Sequence, residues 1–252
     1  MSRLIRIMVM CTVLTLSFGA GHADRPVPDV TFFDGTFADV DWSASVFTFN
    51  HPGATAGQAT SGGNPGSHRA ITTLQANLGE SRVVIIEIRA GAVVDPAVLG
   101  GIAGIDYAED QKCASGDGCA GLGQGWAPAL RQGGKFYIVS PPSITTGVLP
   151  GWVSVSNVGL GAASFSEVVL TATSDTDPSS HPDFSALGGP VELGYARANR
   201  KNSLRTGRLD NWSVTVVGAA VPVKHTSWGE LKTLYQWQRA SLDAVTASCT
   251  GI

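Results

Sequence analysis

The chain has 252 residues, is 43% hydrophobic and only 15% charged, and carries a formal net charge of −3. A mildly acidic chain lacks the basic stripe that tracks phosphates and the polybasic patch that holds a protein on anionic lipid, which argues against nucleic-acid and membrane-surface partners. The apolar content is too high for a disordered polymer, and 31 glycines with so little charge suit many short strands joined by tight turns.

Residues 1–23 have the three parts of an export signal. Arg3 and Arg6 give a positive start, Ile7 to Phe18 an apolar stretch, and Gly21-His22-Ala23 places small residues at the −3 and −1 positions. The apolar run, about 12–14 residues, falls short of the roughly 20 that span a bilayer. Cleavage after Ala23 and a secreted or cell-surface mature chain are therefore expected. No later run reaches spanning length, so no transmembrane segment is expected in the mature chain.

From residue 24 to 217 the apolar pattern has period two. Along 82–90, Val84, Ile86, Ile88 and Ala90 share one face, with Glu87 and Arg89 on the other. Along 151–158, Val153 and Val155 alternate with Ser154 and Ser156, and along 211–217 Trp212, Val214 and Val216 alternate with Ser213 and Thr215. Strands are also predicted over 30–37, 43–49, 69–75, 135–140, 167–173 and 191–198. Asn50-His51-Pro52-Gly53, the 61–66 Gly/Asn/Pro cluster, Gln132-Gly133-Gly134 and Gly188-Gly189-Pro190 are turn signals between them. The expected fold is all-β, a two-sheet antiparallel sandwich with a short C-terminal helical tail.

Cys113 and Cys119 enclose five residues, and in an exported chain a disulfide is the default for such a pair. A single C-x5-C pair leaves zinc as the alternative, without clustered histidines to favour it. Cys249 stands alone near the end. Residues 218–225 read as a linker and 226–252 as a tail. Ser227 and Glu230 have capping-box spacing, and Trp228, Leu231, Leu234 and Tyr235 fall on one helical face over 226–244. Such a helix either packs back on the domain or serves as a docking or sorting element.

Three sets of residues carry a family resemblance. They are the opening Phe33-Asp34-Gly35-Thr36-Phe37, the turn from Gly62 to Arg69, and the closing Leu209-Asp210-Asn211-Trp212-Ser213-Val214. The stretches Pro128–Tyr137, His181–Phe184 and Gly194–Asn199 fit the same pattern. Over residues 29–217 the chain resembles bacterial secreted concanavalin A-like lectin/glucanase (laminin G-like) jelly-roll domains. Galactose-binding-like jelly rolls end in a similar strand. The resemblance implies that the first and last strands pair, that one sheet is curved, and that a sugar binds on the concave sheet. Fold alone does not license that function.

Candidate chemistry follows from residue types. The hydrolases of that family carry alternating acids on one strand, whereas Asp106, Glu109 and Asp110 depart from that pattern in type and spacing, so no catalytic residue is assigned. No G-x-S-x-G elbow occurs, His51, His68 and His181 read as turn or surface histidines, and Gly121–Gly125 reads as a loop rather than a dinucleotide cradle. One structural calcium is the single cofactor the ligand types suggest, held by Asp34, Asp210 and Asn211 if the end strands pair. Asp175, Asp177 and Asp183 form a second acidic loop. For a glycan or cell-surface partner the candidates are Trp126, Arg131, Tyr137, Tyr195, Arg197 and Asn199. Rings stack on sugar C–H faces and planar polar groups read hydroxyls, and the last three share one strand face. The alternatives are a structural surface protein without a small ligand and a polysaccharide-active hydrolase.

Overall fold

A computed structural model describes residues 29–75, 80–113, 124–140, 142–144, 151–200, 204–219 and residue 232. The expected signal peptide, Cys119, Cys249 and the tail other than Lys232 lie outside the described residues. Among the described residues no helix is long and apolar enough to cross a membrane.

Fourteen strands make up the described chain: β1 (Val30–Asp34), β2 (Trp42–Phe49), β3 (Ala54–Gly63), β4 (Gly66–Thr73), β5 (Arg82–Val94), β6 (Ile102–Lys112) and β7 (Gly125–Gln132), then β8 (Lys135–Val139), β9 (Ser143–Ile144), β10 (Val153–Leu160), β11 (Phe165–Val168), β12 (Thr176–Asp177), β13 (Val191–Arg200) and β14 (Arg205–Gly218). They form two antiparallel sheets, a jelly-roll-type sandwich. Sheet A runs β10-β6-β14-β4-β3, with β1 beside β14. Sheet B runs β12-β11-β8-β7-β13-β5-β2, with β9 beside β7.

The end strands pair as the resemblance implies, from Val30 opposite Val216 to Asp34 opposite Trp212. One long strand serves two partners on the same side: β14 pairs with β4 through Arg205–Leu209 and with β1 beyond a bulge at Asp210. The core lies between the sheets. Ile71, Ile85, Ile105, Leu130, Leu193, Leu209 and Val216 fill it around the aromatic group Phe37, Trp42, Tyr195 and Trp212. Trp42 lies at the centre of that group, stacked on Phe37 at 5.5 Å and edge-on to Trp212 at 5.2 Å.

Strand chemistry explains most elements and the exceptions explain themselves. β5 is rich in β-branched residues, and over residues 82–88 it is buried on both faces. β7 carries Pro128, a residue poorly suited to a central strand. It falls in the interval between Gly125–Trp126, which face β9, and Ala129–Gln132, which face β8, so no ladder is broken on that side.

Candidate functional site

Period-two alternation sets which side chains of β13 go together, and the sheet order sets where they point. Tyr195, Arg197 and Asn199 do share a face, and that face points into the sandwich: they are 0%, 2% and 4% exposed. Opposite them, across the core, β6 aims Tyr107, Glu109 and Gln111 inward. Arg197 Nη2 donates to Glu109 Oε1 at 2.7 Å, the Tyr107 hydroxyl donates to Glu109 Oε2, and Gln111 Nε2 donates to Glu109 Oε1 at 2.5 Å. Tyr195 donates its hydroxyl to Glu87, whose other partner is the Arg69 fork at 2.9 and 2.5 Å. Asn199 Nδ2 donates to Thr73 Oγ1 at 3.0 Å. Burial, and then the neighbouring carboxylates, push the Tyr107 and Tyr195 phenols well above their ordinary range. This is a hydrogen-bonded ionic layer almost wholly buried between two sheets.

The remaining predicted ligand residues divide. Trp126 and Tyr137 are buried in the same core, Trp126 stacked on Tyr107 at 6.4 Å. Arg131 is partly exposed on the outer face of sheet B, where it forks onto Glu192 and lies 5.8 Å from the Phe136 ring centroid. The six residues are thus not brought together.

The three residues named for calcium also have separate tasks. Asp34 Oδ1 accepts from Thr36 N, Thr36 Oγ1 and Phe37 N, and Oδ2 from Trp42 Nε1 and Arg89 Nε, all at 2.7–2.9 Å. Those five bonds fold the turn after β1 and hold Phe37 at a φ of 54°. Asp210 accepts from the backbone of Asn64 and Asn211. Asn211 Nδ2 donates to Asn64 O at 2.6 Å and Asp110 Oδ2 at 2.7 Å. Asp175 pairs with Arg82 and Arg200, while Asp177 and Asp183 cap local turns. Among the described residues no group of three or more His, Cys, Asp or Glu side chains is placed to hold a metal.

The acids of β6 do not converge. Glu109 faces the core, whereas Asp106 and Asp110 face outward, Asp106 accepting from Gly159 N at 2.7 Å. Cys113 is buried at the end of β6, and Cys119, its expected partner, lies outside the described residues.

The feature missed in the sequence lies on the outer face of sheet A. Trp152, just before β10, is half-buried. Lys112 Nζ stands 5.8 Å from its ring centroid and the His68 ring meets it edge-on at 5.6 Å. Beside it, register places Ser154 opposite Asp110 and Asp110 opposite Asp210. Asp110 accepts from Ser154, from Asn64 Nδ2 at 3.0 Å and from Asn211 Nδ2 at 2.7 Å. Burial works against the ionised form of Asp110, but the donors from Asn211, Ser154 and Asn64 outweigh it and hold the carboxyl below its ordinary range. Burial raises Asp210, reinforced by nearby Asp110, and burial with the Arg208 charge lowers His68. The two aspartates clamp the β3–β4 hairpin tip, with Gly63 against Asp210 where a Cβ would clash.

Lys112 also borders a polar recess shared with Gln111, Cys113, Gln124, Arg197, Gly207 and Arg208. Its free volume is only ≈ 10 Å³, about the room one water needs, so it does not engulf a ligand. The arrangement is an aromatic platform with a cation and a hydroxyl alongside, suited to contact with the flat face of a ligand. The signal in the sequence was the alternation over 151–158, which puts Trp152 on the serine-bearing face.

No family model matches this chain, and no curated protein matches it. Solved structures to which it is similar include a Family 11 carbohydrate-binding module from Clostridium thermocellum in complex with a β-1,3-1,4-mixed-linked tetrasaccharide. There the identity is 9%, coverage is 76% of this chain and 96% of that one, and the TM-score is 0.42. The CBM22-1 xylan-binding domain of Paenibacillus barcinonensis Xyn10C shows 11% identity over 75% of this chain and 95% of that one, with a TM-score of 0.40. TmCBM61, in complex with β-1,4-galactotriose, shows 12% identity over 69% and 86%, with a TM-score of 0.33.

Proposed function

We propose that the mature chain is an exported, non-catalytic carbohydrate-binding module of the jelly-roll type, and that Trp152 is its platform. The observation that carries this reading is a half-exposed tryptophan on the outer face of sheet A with the Lys112 ammonium over its ring and Ser154 two residues on along the same strand face. A sugar ring presents an apolar C–H face to the indole, while its hydroxyls meet the ammonium and the hydroxyl. Asp110, a carboxylate of the same face, already accepts three hydrogen bonds that shape it, which favours binding over hydrolysis.

Affinity electrophoresis against soluble mixed-linkage β-1,3-1,4-glucan, xylan and β-1,4-galactan tests it. At least one polysaccharide should retard the protein, and Trp152→Ala should weaken that binding at least about tenfold, or about 1.4 kcal/mol, with an unchanged melting temperature. Absence of retardation by all three, or full retention of binding by Trp152→Ala, would overturn the proposal.

A further inference from the structure

Away from the Arg131–Glu192 pair, the outer face of sheet B is apolar and buried, and among the described residues no apolar side chain from outside sheet B and the loop after β11 joins it. Val84 and Ile86 are 0% exposed, and Ile88, Ala127, Ala129, Ile138, Ala196 and Ala198 are also buried there. Phe47 and Phe136 flank them, 5.4 Å apart. Every member of this second cluster belongs to sheet B itself or, as Leu170 does, to the loop after β11. A sheet face reaches such burial only when something packs on it.

We infer that residues 226–244 of the same chain dock on this face as an amphipathic helix. Three observations select that segment. Its apolar row, Trp228, Leu231, Leu234 and Tyr235, repeats at helical spacing and has no partner within its own helix. Nineteen helical residues span about 28 Å at ~1.5 Å per residue. The cluster crosses six adjacent strands, β2 through β11, or about 24 Å at ~4.8 Å per strand. The floor also suits a helix, because Ala127, Ala129, Ala196 and Ala198 form a shallow central strip across two neighbouring strands.

The tether reaches. Ala219 donates its N–H to Gly101 O, and Gly101 lies against Phe184 O in the connection that leads into β13. The chain therefore leaves sheet A at the end of the sandwich where β13 begins. Seven residues from 219 to 226 extend up to about 24 Å at ~3.4 Å each, against a sheet separation of ~10 Å. The other internal segments outside the described residues, 76–79, 114–123, 145–150 and 201–203, are short or rich in Gly and polar residues. In this arrangement the tail is a third layer of the domain and closes sheet B to ligands, leaving the Trp152 face open.

The test uses the full mature chain. Leu234 is replaced by the photocrosslinker benzoylphenylalanine in an equimolar mixture of light and isotopically heavy protein. Cross-links should join residue 234 to peptides of β5, β7 or β13 within one isotopic population. In parallel, Leu231→Asp/Leu234→Asp should speed amide exchange in those three strands at least about tenfold, while the exposed Lys232→Asp should leave it unchanged. Light–heavy cross-links, which mean a second copy is the occupant, cross-links to sheet A, or unchanged exchange in the double variant would each overturn the inference.

Discussion

At the residue scale, the ionic layer between the sheets dominates. Arg197 and Glu109 are 3% and 0% exposed at their side chains, and each depends on the other for a counter-charge. Removing one charge leaves the other stranded in a low dielectric, a change that costs about 3–5 kcal/mol, whereas replacing both with apolar groups of similar volume costs far less. Glu109→Gln should therefore lower unfolding free energy by about 3 kcal/mol or more, and Glu109→Leu/Arg197→Met by less than Glu109→Gln alone. Urea unfolding measures both; a Glu109→Gln effect below about 0.5 kcal/mol would remove the pair from the account of stability. The same residues show what was legible. Spacing correctly put Tyr195, Arg197 and Asn199 on one face. Whether that face meets solvent or core depends on Glu87, Glu109 and Thr73, which arrive from strands 70 or more residues away, and local alternation carries no information about them.

At the element scale, the strands with β-branched alternation were legible: 43–49, 82–90, 135–140 and 191–198 all lie on observed strands, with ends shifted by a few residues. β3 was not, because Ala, Gly, Thr and Ser dominate it and it holds its place as an edge strand by pairing with β4. β6 and β7 were missed as strands for related reasons: acids on one and a proline in the other contradict strand propensity, and tertiary pairing overrides it. The predicted 167–173 strand is shorter, Phe165–Val168, since Thr171 and Ser174 bond locally to form a turn. Gly194 is the most demanding glycine position in sheet B. It sits at the register shift between β13 and β5, and a Cβ there would strike the Glu87 carbonyl oxygen and lie 3.0 Å from Ile88 Cα. Gly194→Ala should cost about 3 kcal/mol or more, and Gly151→Ala, with open space around it, less than about 0.5. Equal denaturation midpoints for the two variants would show that the backbone at Gly194 yields.

At the scale of the whole molecule, the two sheets divide the work. Sheet B carries the ionic layer on its inner face and an apolar cluster on its outer one, and the inferred third layer gives that outer side a structural role. On the outer face of sheet A, Asp110 and Asp210 clamp the β3–β4 hairpin beside Trp152. The two-sheet class and the pairing of the end strands were readable from turn spacing and the opening and closing motifs. The site was not, since it is assembled from β4, β6, β14 and the start of β10. Under the proposed function, ligand meets sheet A at Trp152. Titrating uniformly ¹⁵N-labelled protein with oligosaccharides of the three glycans probes this by two-dimensional NMR. Saturable shifts are expected for the Trp152 indole N–H and the Lys112 and Ser154 amides, with the amides of β5 and β13 unmoved. Shifts confined to sheet B, or a Trp152 indole that stays in place while a ligand binds, would contradict it.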